Sequence, residues 1–273
     1  MLHRTPPDDL AGVLVCLRLS EVRAIFLLDT SPLPILSPFQ EADPRIIYLH
    51  VPGKSFGEAH NLAVKSLKDF PDGYHLVMGT DILWDGNVIE ILAGYLESNP
   101  DVGMVVPKIL YPDGTLQTAY SMLPTPLDFI AAYLLPEHLR EKRLKRYRLA
   151  QHDPQHPLNT PSLSGNFMLF RNRAIMESGM FDERFSGYPD HIDLTRRIHE
   201  KWKTMYLPGV SIVNFHKLSR GNDSDNILAG GNMSHDSIRN ILRYFNKWGW
   251  MIDGKRRKFN RELLMNIASS GKS

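Results

Sequence analysis

Apolar and polar positions along this chain follow two rhythms, one of helix and one of strand. After Pro6-Pro7-Asp8-Asp9, apolar Leu10, Val13, Leu14 and Leu17 recur at helical spacing, which predicts a helix opened by proline and acids. Short β-rich runs then follow at 22–28, 45–51, 74–79 and 103–110, bounded by turn chemistry such as Asp29-Thr30-Ser31-Pro32, Thr80-Asp81 and Pro112-Asp113-Gly114. Helical patterns separate them, one through His60-Asn61-Leu62-Ala63-Val64 and one over 88–100. Strands alternating with helices predict an α/β domain with a mixed, mainly parallel sheet flanked by helices. Ligands of such sheets bind beyond the carboxyl ends of strands, which singles out Asp29 and Asp81.

Residues 120–160 change character: they are Pro-rich, basic and lack clear periodicity, and read as a loop-and-helix excursion, a lid or an acceptor-side element. The run 163–170 (LSGNFMLF) reads as a buried strand with a bulge at Gly165. Asp182, Glu183, Asp190, His191 and Asp193 then gather between apolar segments. So many charges need solvent, pairing with Arg184, Arg196 and Arg197, or a metal. A strand over 204–216 ends in His216, followed by a Gly/Asn/Asp-rich loop at 219–232 and a helix at 237–251.

With 273 residues, 42% of them hydrophobic, the chain can bury a core as one large domain, or one domain plus an appendage. A net charge of +2 argues against a nucleic-acid partner held by bulk charge. The basic runs at 139–148 and 254–259 read as solvated helix faces and lack the interleaved aromatics of a single-strand platform. The single Cys16 excludes an internal disulfide and a cysteine-rich zinc site, and reads as a small buried apolar group. No apolar run is long enough to cross a bilayer and no signal-peptide pattern opens the chain. The expected location is cytoplasmic, with a peripheral contact at the inner face of the plasma membrane as an option. Trp248 and Trp250 read as packing residues of the last helix; with Lys247 and the basic positions 255–258, a seat on anionic lipid is the alternative.

Seven stretches in order carry a family resemblance: 55–64 (SFGEAHNLAV), 110–117 (LYPDGTLQ), 123–129 (LPTPLDF), 163–170 (LSGNFMLF), 181–198 (FDERFSGYPDHIDLTRRI), 207–216 (LPGVSIVNFH) and 239–250 (RNILRYFNKWGW). Together they resemble the family 2 glycosyltransferases of GT-A fold, in particular bacterial rhamnosyltransferase-like members. The resemblance implies a nucleotide-diphospho-sugar transferase, Rossmann-like in its sheet. It would move a sugar from a UDP- or dTDP-sugar donor to a glycan or lipid-linked acceptor with inversion, in surface polysaccharide biosynthesis. It also implies Mn2+ or Mg2+, because the diphosphate leaving group develops negative charge, and a base for the weakly nucleophilic acceptor hydroxyl.

Residue by residue, the resemblance makes Asp81 the metal and diphosphate contact and His216 a second metal ligand that would suit manganese better than magnesium. Asp29 and Ser31 would meet the nucleoside, His60 and Asn61 would lie beside the nucleotide, and Gly165 and Asn166 would line the donor-sugar pocket. Each has a plain structural alternative: a turn acid at Asp29, a helix-start acid at Asp81, a self-capping pair at 60–61, a strand bulge at Gly165, an unremarkable strand-end imidazole at His216.

The chain departs from the pattern in four places. The family opens with a β-rich strand ahead of the position of Thr5-Pro6, so the resemblance implies that the first strand is missing, by N-terminal truncation. Gly79-Thr80-Asp81 replaces Asn-Pro-Asp and keeps the acid, and Gly53 and Ser55 stand where the family has Asn and Gly. His191 occupies the usual base position, with Asp190 beside it, so either is the candidate base. Residues 1–235 are expected as the GT-A domain, with a nucleotide-binding half (1–110) and an acceptor-side half (111–235). Residues 236–273 are expected as a helical extension. A catalytically inactive GT-A-like module that binds a nucleotide or a partner is the alternative function.

Overall fold

The amphipathic stretch after Pro6 forms α1 (Pro7–Arg18). Pro7 sits in its first turn, where a missing N–H costs no helical bond, and Asp8 and Asp9 face the positive end of the dipole. Leu10, Val13, Leu14 and Leu17 are buried. This computed structural model describes residues 5–215 and 234–270. His216 and the loop at 219–232 lie outside the described residues. β1 (Ile25–Asp29) and β2 (Ile46–His50) pair in parallel, Asp29 opposite His50. α2 (Phe56–Lys65) begins at a reciprocal cap, Ser55 Oγ accepting Glu58 N–H while the Glu58 carboxylate accepts Ser55 N–H.

A second, seven-stranded sheet carries most of the core. Its path runs β3 (Tyr74–Met78), β8 (Phe167–Arg171), β5 (Val102–Leu110), β9 (Lys203–Asn214) and β4 (Ile82–Leu83). β6 (Leu116–Gln117) pairs with β5, and β7 (Leu158–Asn159) with β9. Met104, Val105, Val106 and Ile109 of β5 are completely buried, consistent with a central strand covered on both faces. The sheet is mixed, as expected, but not mainly parallel. Among the described residues only β1–β2 and β5–β9 are parallel, against five antiparallel pairings. The run 163–170 is the cause: it enters as β8 between β3 and β5 and runs against both.

Helices cover both faces. α3 (Val88–Ser98) buries Val88, Ile89, Leu92 and Leu96. The aperiodic stretch resolves into a hairpin of α4 (Pro126–Leu134) and α5 (Glu137–Tyr147). α6 (Asn172–Glu177) and α7 (Asp190–His199) follow, then α8 (His235–Trp248) and α9 (Gly254–Ser270). The last two share the core with what precedes them. Ile241, Tyr244 and Phe245 pack with Phe129, Tyr188 and Ile192, and the Asn260 amide bonds both the N–H and the C=O of Leu123 at 2.9 Å. Among the described residues no helix is long and apolar enough to cross a membrane.

Among the described residues the two sheets do not join: β1 pairs only with β2 and β3 only with β8. Both strands line one cavity of about 680 Å3, walled by Leu10, Val13, Leu27, Leu76 and Val77 among others.

Candidate active site

The strand ends position the polar groups. β1 delivers Asp29 into a fully buried setting, where its carboxylate accepts the Tyr48 hydroxyl at 2.6 Å and Ser31 N–H at 2.9 Å. Burial opposes its ionisation, but the hydrogen bonds from Tyr48 and Ser31, aided by His50, outweigh that and hold it below the usual carboxylate range. The Tyr48 hydroxyl is pushed up, by burial first and then by its bond to Asp29. Asp29 is therefore an ionised group that fixes the Thr30-Ser31 turn, with a ring nitrogen of His50 2.9 Å from Ser31 O.

β3 ends at Met78, and the chain continues through Gly79-Thr80-Asp81. The Asp81 carboxylate folds back over Gly79, so that a side chain on Gly79 would occupy the same space. Gly79 N–H donates to Asn166 O at 3.2 Å, and Phe215 N–H donates to Asp81 O at 2.7 Å. Next to Asn166, Gly165 lies under the ring of His191, whose Cγ would be 3.0 Å from a Cβ at that position. His191 opens α7 with its backbone N–H 2.6 Å and its Nδ1 3.1 Å from Asp190 Oδ1. Asp81, Asn166, Gly165, His191 and Asp190 thus form a continuous string of neighbours at the carboxyl end of β3. β9 ends at Asn214, and the next residue, Phe215, joins that string through its bond to Asp81 O; His216 itself lies outside the described residues.

His60 and Asn61 sit differently. The Asn61 amide nitrogen donates to Phe181 O and Glu183 Oε1, and its oxygen accepts Phe181 N–H, all at 3.0 Å. Asn61 therefore ties α2 to the turn at 181–183. His60 packs between Phe56 and Phe181, its ring centroid 4.3 Å from the first and 5.4 Å from the second. Burial, with smaller contributions from neighbouring positive charge, holds its pKa well below the ordinary imidazole value.

Two acids of the cluster, Asp182 and Asp193, are neutralised by pairing. Asp182 bonds Arg184 at 2.6 Å and Lys247 at 2.8 Å, and the Arg184 bond leads in holding it well below the usual range. Fully buried Asp193 takes Arg197, Lys247 and Trp248 Nε1 at 2.7–2.9 Å. Arg196 turns instead to Asp253, with two bonds of 2.7 Å. Trp248 is a packing residue, its ring under the Arg196 guanidinium.

No protein-family model matches the chain. Over 166 residues, 60% of its length, it is 28% identical to the N-acetylglucosaminyl-diphospho-decaprenol L-rhamnosyltransferases of Mycobacterium tuberculosis strains CDC 1551 / Oshkosh and H37Rv. That match covers 53% of those proteins, so the chain spans about half the length of the curated relatives it matches. The crystal structure of GalNAc-T7 with UDP, GalNAc and Mn2+ aligns over 90% of this chain and 46% of that one, with a TM-score of 0.62 at 14% identity. The fold is that of the GT-A glycosyltransferases. In sequence this GT-A chain is rhamnosyltransferase-like.

Of the two expected metal ligands, Asp81 lies among the described residues and His216 does not. Among the described residues no three or more His, Cys, Asp or Glu side chains converge as a self-sufficient metal cage. A hard cation held by one carboxylate together with substrate phosphates needs no such cage, and a strand-end aspartate suits that arrangement. Sequence reasoning missed the polar lining on the other side of His191. Ser121, Tyr147, Ser162 and Ser164 border a cavity there of about 20 Å3, and Ser121 Oγ lies 2.8 Å from Ser162 Oγ. The only sequence signal was the alternation of Ser162 and Ser164 ahead of Gly165.

Proposed function

We propose that the chain is a metal-dependent inverting hexosyltransferase acting in surface polysaccharide biosynthesis. It moves a sugar, rhamnose on the strength of its curated relatives, from a UDP- or dTDP-sugar to a glycan or lipid-linked acceptor at the cytoplasmic face of the membrane. The observation that carries the reading is the unbroken string of contacts from Asp81 through Gly79, Asn166 and Gly165 to His191 and Asp190. It links an acid able to hold a cation to an imidazole–carboxylate pair able to take a proton.

Asp81, with His216, would hold Mn2+ or Mg2+; such an ion supplies positive charge to the departing diphosphate. Asp29 and Ser31 receive the nucleoside, with His60 and Asn61 behind it. Gly165 and Asn166 line the sugar, and the bare Cα of Gly165 makes room for the His191 ring. Asp190 accepts from Nδ1–H, which leaves Nε2 as the proton acceptor for the acceptor hydroxyl. Attack from the face opposite the diphosphate inverts the anomeric carbon. Asp81→Ala is the test: manganese-stimulated donor turnover should drop about a hundredfold or more. Full turnover in that variant defeats the metal assignment.

A second reading, a nucleotide- or partner-binding module without turnover, is favoured by two observations. Among the described residues no strand joins β1 to β3, and His191 stands where the resembled family carries an aspartate. Calorimetry with UDP and dTDP plus manganese, run beside a donor-hydrolysis assay, separates the readings. Binding without turnover selects the second; turnover selects the first.

A further inference from the structure

The α4–α5 hairpin exposes an apolar surface beside a basic one. α4 turns Phe129, Ala131 and Ala132 inward and leaves Leu127, Ile130 and Leu134 exposed, Leu134 to 76%. The connection and the start of α5 add Leu135 and Leu139. α5 buries Leu144 and Tyr147 and directs Lys142, Lys145 and Arg146 to solvent. Helical spacing puts Leu139, Lys142 and Arg146 on one face of α5. From Glu137 to Arg148 there are six basic residues and two acidic ones, and Arg143 is held by Asp128 at 2.8 Å. Lys142, Lys145 and Arg146 have no carboxylate partner among the described residues.

We infer that this hairpin docks the protein on an anionic lipid surface, with the leucine and isoleucine side chains entering the headgroup–acyl boundary and the lysines and arginine meeting lipid phosphates. Charge complementarity selects this occupant. A bilayer of anionic lipid offers hydrocarbon and negative charge side by side, which is what an apolar face rimmed by unpaired cations matches. A purely apolar protein groove would satisfy the leucines but leave three uncompensated charges beside them. The position also has a consequence. Phe129 of α4 lies 6.2 Å from Tyr188, whose ring is 5.8 Å from His191, so docking brings a lipid surface near the string of residues at the β3 end. The docking itself does not rest on the proposed transfer reaction.

The test is co-sedimentation of the full chain with vesicles of phosphatidylcholine alone or mixed with phosphatidylglycerol, at low and high salt. The protein should partition onto the anionic vesicles and come off as salt rises. The double variant I130S/L134S and the triple variant K142E/K145E/R146E should each weaken that partition about tenfold or more. All five positions are on the surface or its edge, so unchanged circular dichroism and melting are the folding control. Absence of binding to anionic vesicles, or binding that neither variant weakens, overturns the inference. So does sedimentation velocity showing that I130S/L134S converts a dimer to a monomer, because the face would then be an interface between copies of the chain.

Discussion

The ring of His191 rests on the bare Cα of Gly165. A methyl group there would stand 3.0 Å from His191 Cγ and 3.2 Å from Nδ1, while Asp190 Oδ1 holds Nδ1 from its other side at 3.1 Å. A Cβ that close requires the imidazole to give by a few tenths of an ångström, so Gly165→Ala shifts the ring against its bond to Asp190. The expected outcome is a fall in kcat of roughly ten- to a hundredfold, as for a misplaced catalytic group, with the melting temperature nearly unchanged. Steady-state kinetics beside a thermal melt check this. Unaltered kcat in the Gly165→Ala enzyme would remove His191 from the reaction and leave Asp190 as the base.

Asn61 separates a structural from a ligand-binding role. Its amide makes three bonds of 3.0 Å to the 181–183 turn, two of them to the backbone of Phe181. Asn61→Ala would leave a buried N–H and C=O without those partners, and should cost about 2–4 kcal/mol of stability in urea denaturation. UDP affinity should change little under conditions where the variant is folded. Unchanged stability with weakened UDP binding would instead make Asn61 a nucleotide contact.

The elements were legible where one period dominates. Leu10, Val13, Leu14 and Leu17 specify α1, and the β-rich runs specify β1, β2, β3 and β5 to within a few residues, because turn residues bound them. Strand direction was not legible. Nothing local in 163–170 says that it runs against both β3 and β5, since a buried strand is apolar in either orientation. The hairpin at 126–147 escaped because α5 is mostly solvated: only Leu144 and Tyr147 turn fully inward, too few to show a period. The site was half legible. Strand-end acids such as Asp29 and Asp81 are found from pattern, whereas the pairing of Asp193 with Lys247 and Trp248 spans more than 50 residues and leaves no local trace.

Arg196 and Asp253 form the most deeply buried ion pair of the C-terminal region, with side-chain exposures of 1% and 4%. The pair is bidentate, Arg256 N–H adds a third bond to Asp253 at 2.9 Å, and the Trp248 ring lies 3.9 Å from the guanidinium carbon. Removing one partner strands the other charge in the core, so Asp253→Ala should cost about 3–5 kcal/mol. The double variant D253A/R196M, which removes both charges, should recover much of that loss. Guanidinium titrations of the three proteins decide it. A single variant as stable as the unmodified chain would show that α9 contributes little to the fold.

One buried histidine, His60, and two half-buried ones, His75 and His199, set the acid limb of stability. Burial holds His75 and His199 down to about 4, and keeps His60 well below the ordinary imidazole value. In the unfolded chain the same rings take up protons near pH 6.5. Over the intervening window the unfolded state binds more protons than the folded one, so stability falls as the pH falls. The contribution is complete above about pH 6.5 and drains away toward pH 4, at about 1.4 kcal/mol per pH unit for each histidine. Asp29, Asp182 and Asp253, all shifted below the ordinary value, add their losses only at lower pH still. The urea midpoint should therefore drop between about pH 6.5 and 4.5, and His75→Leu should make the drop shallower by one histidine's share. An identical slope in that variant would mean that the folded state accepts a proton on His75, and with it that the cavity between β1 and β3 is wet.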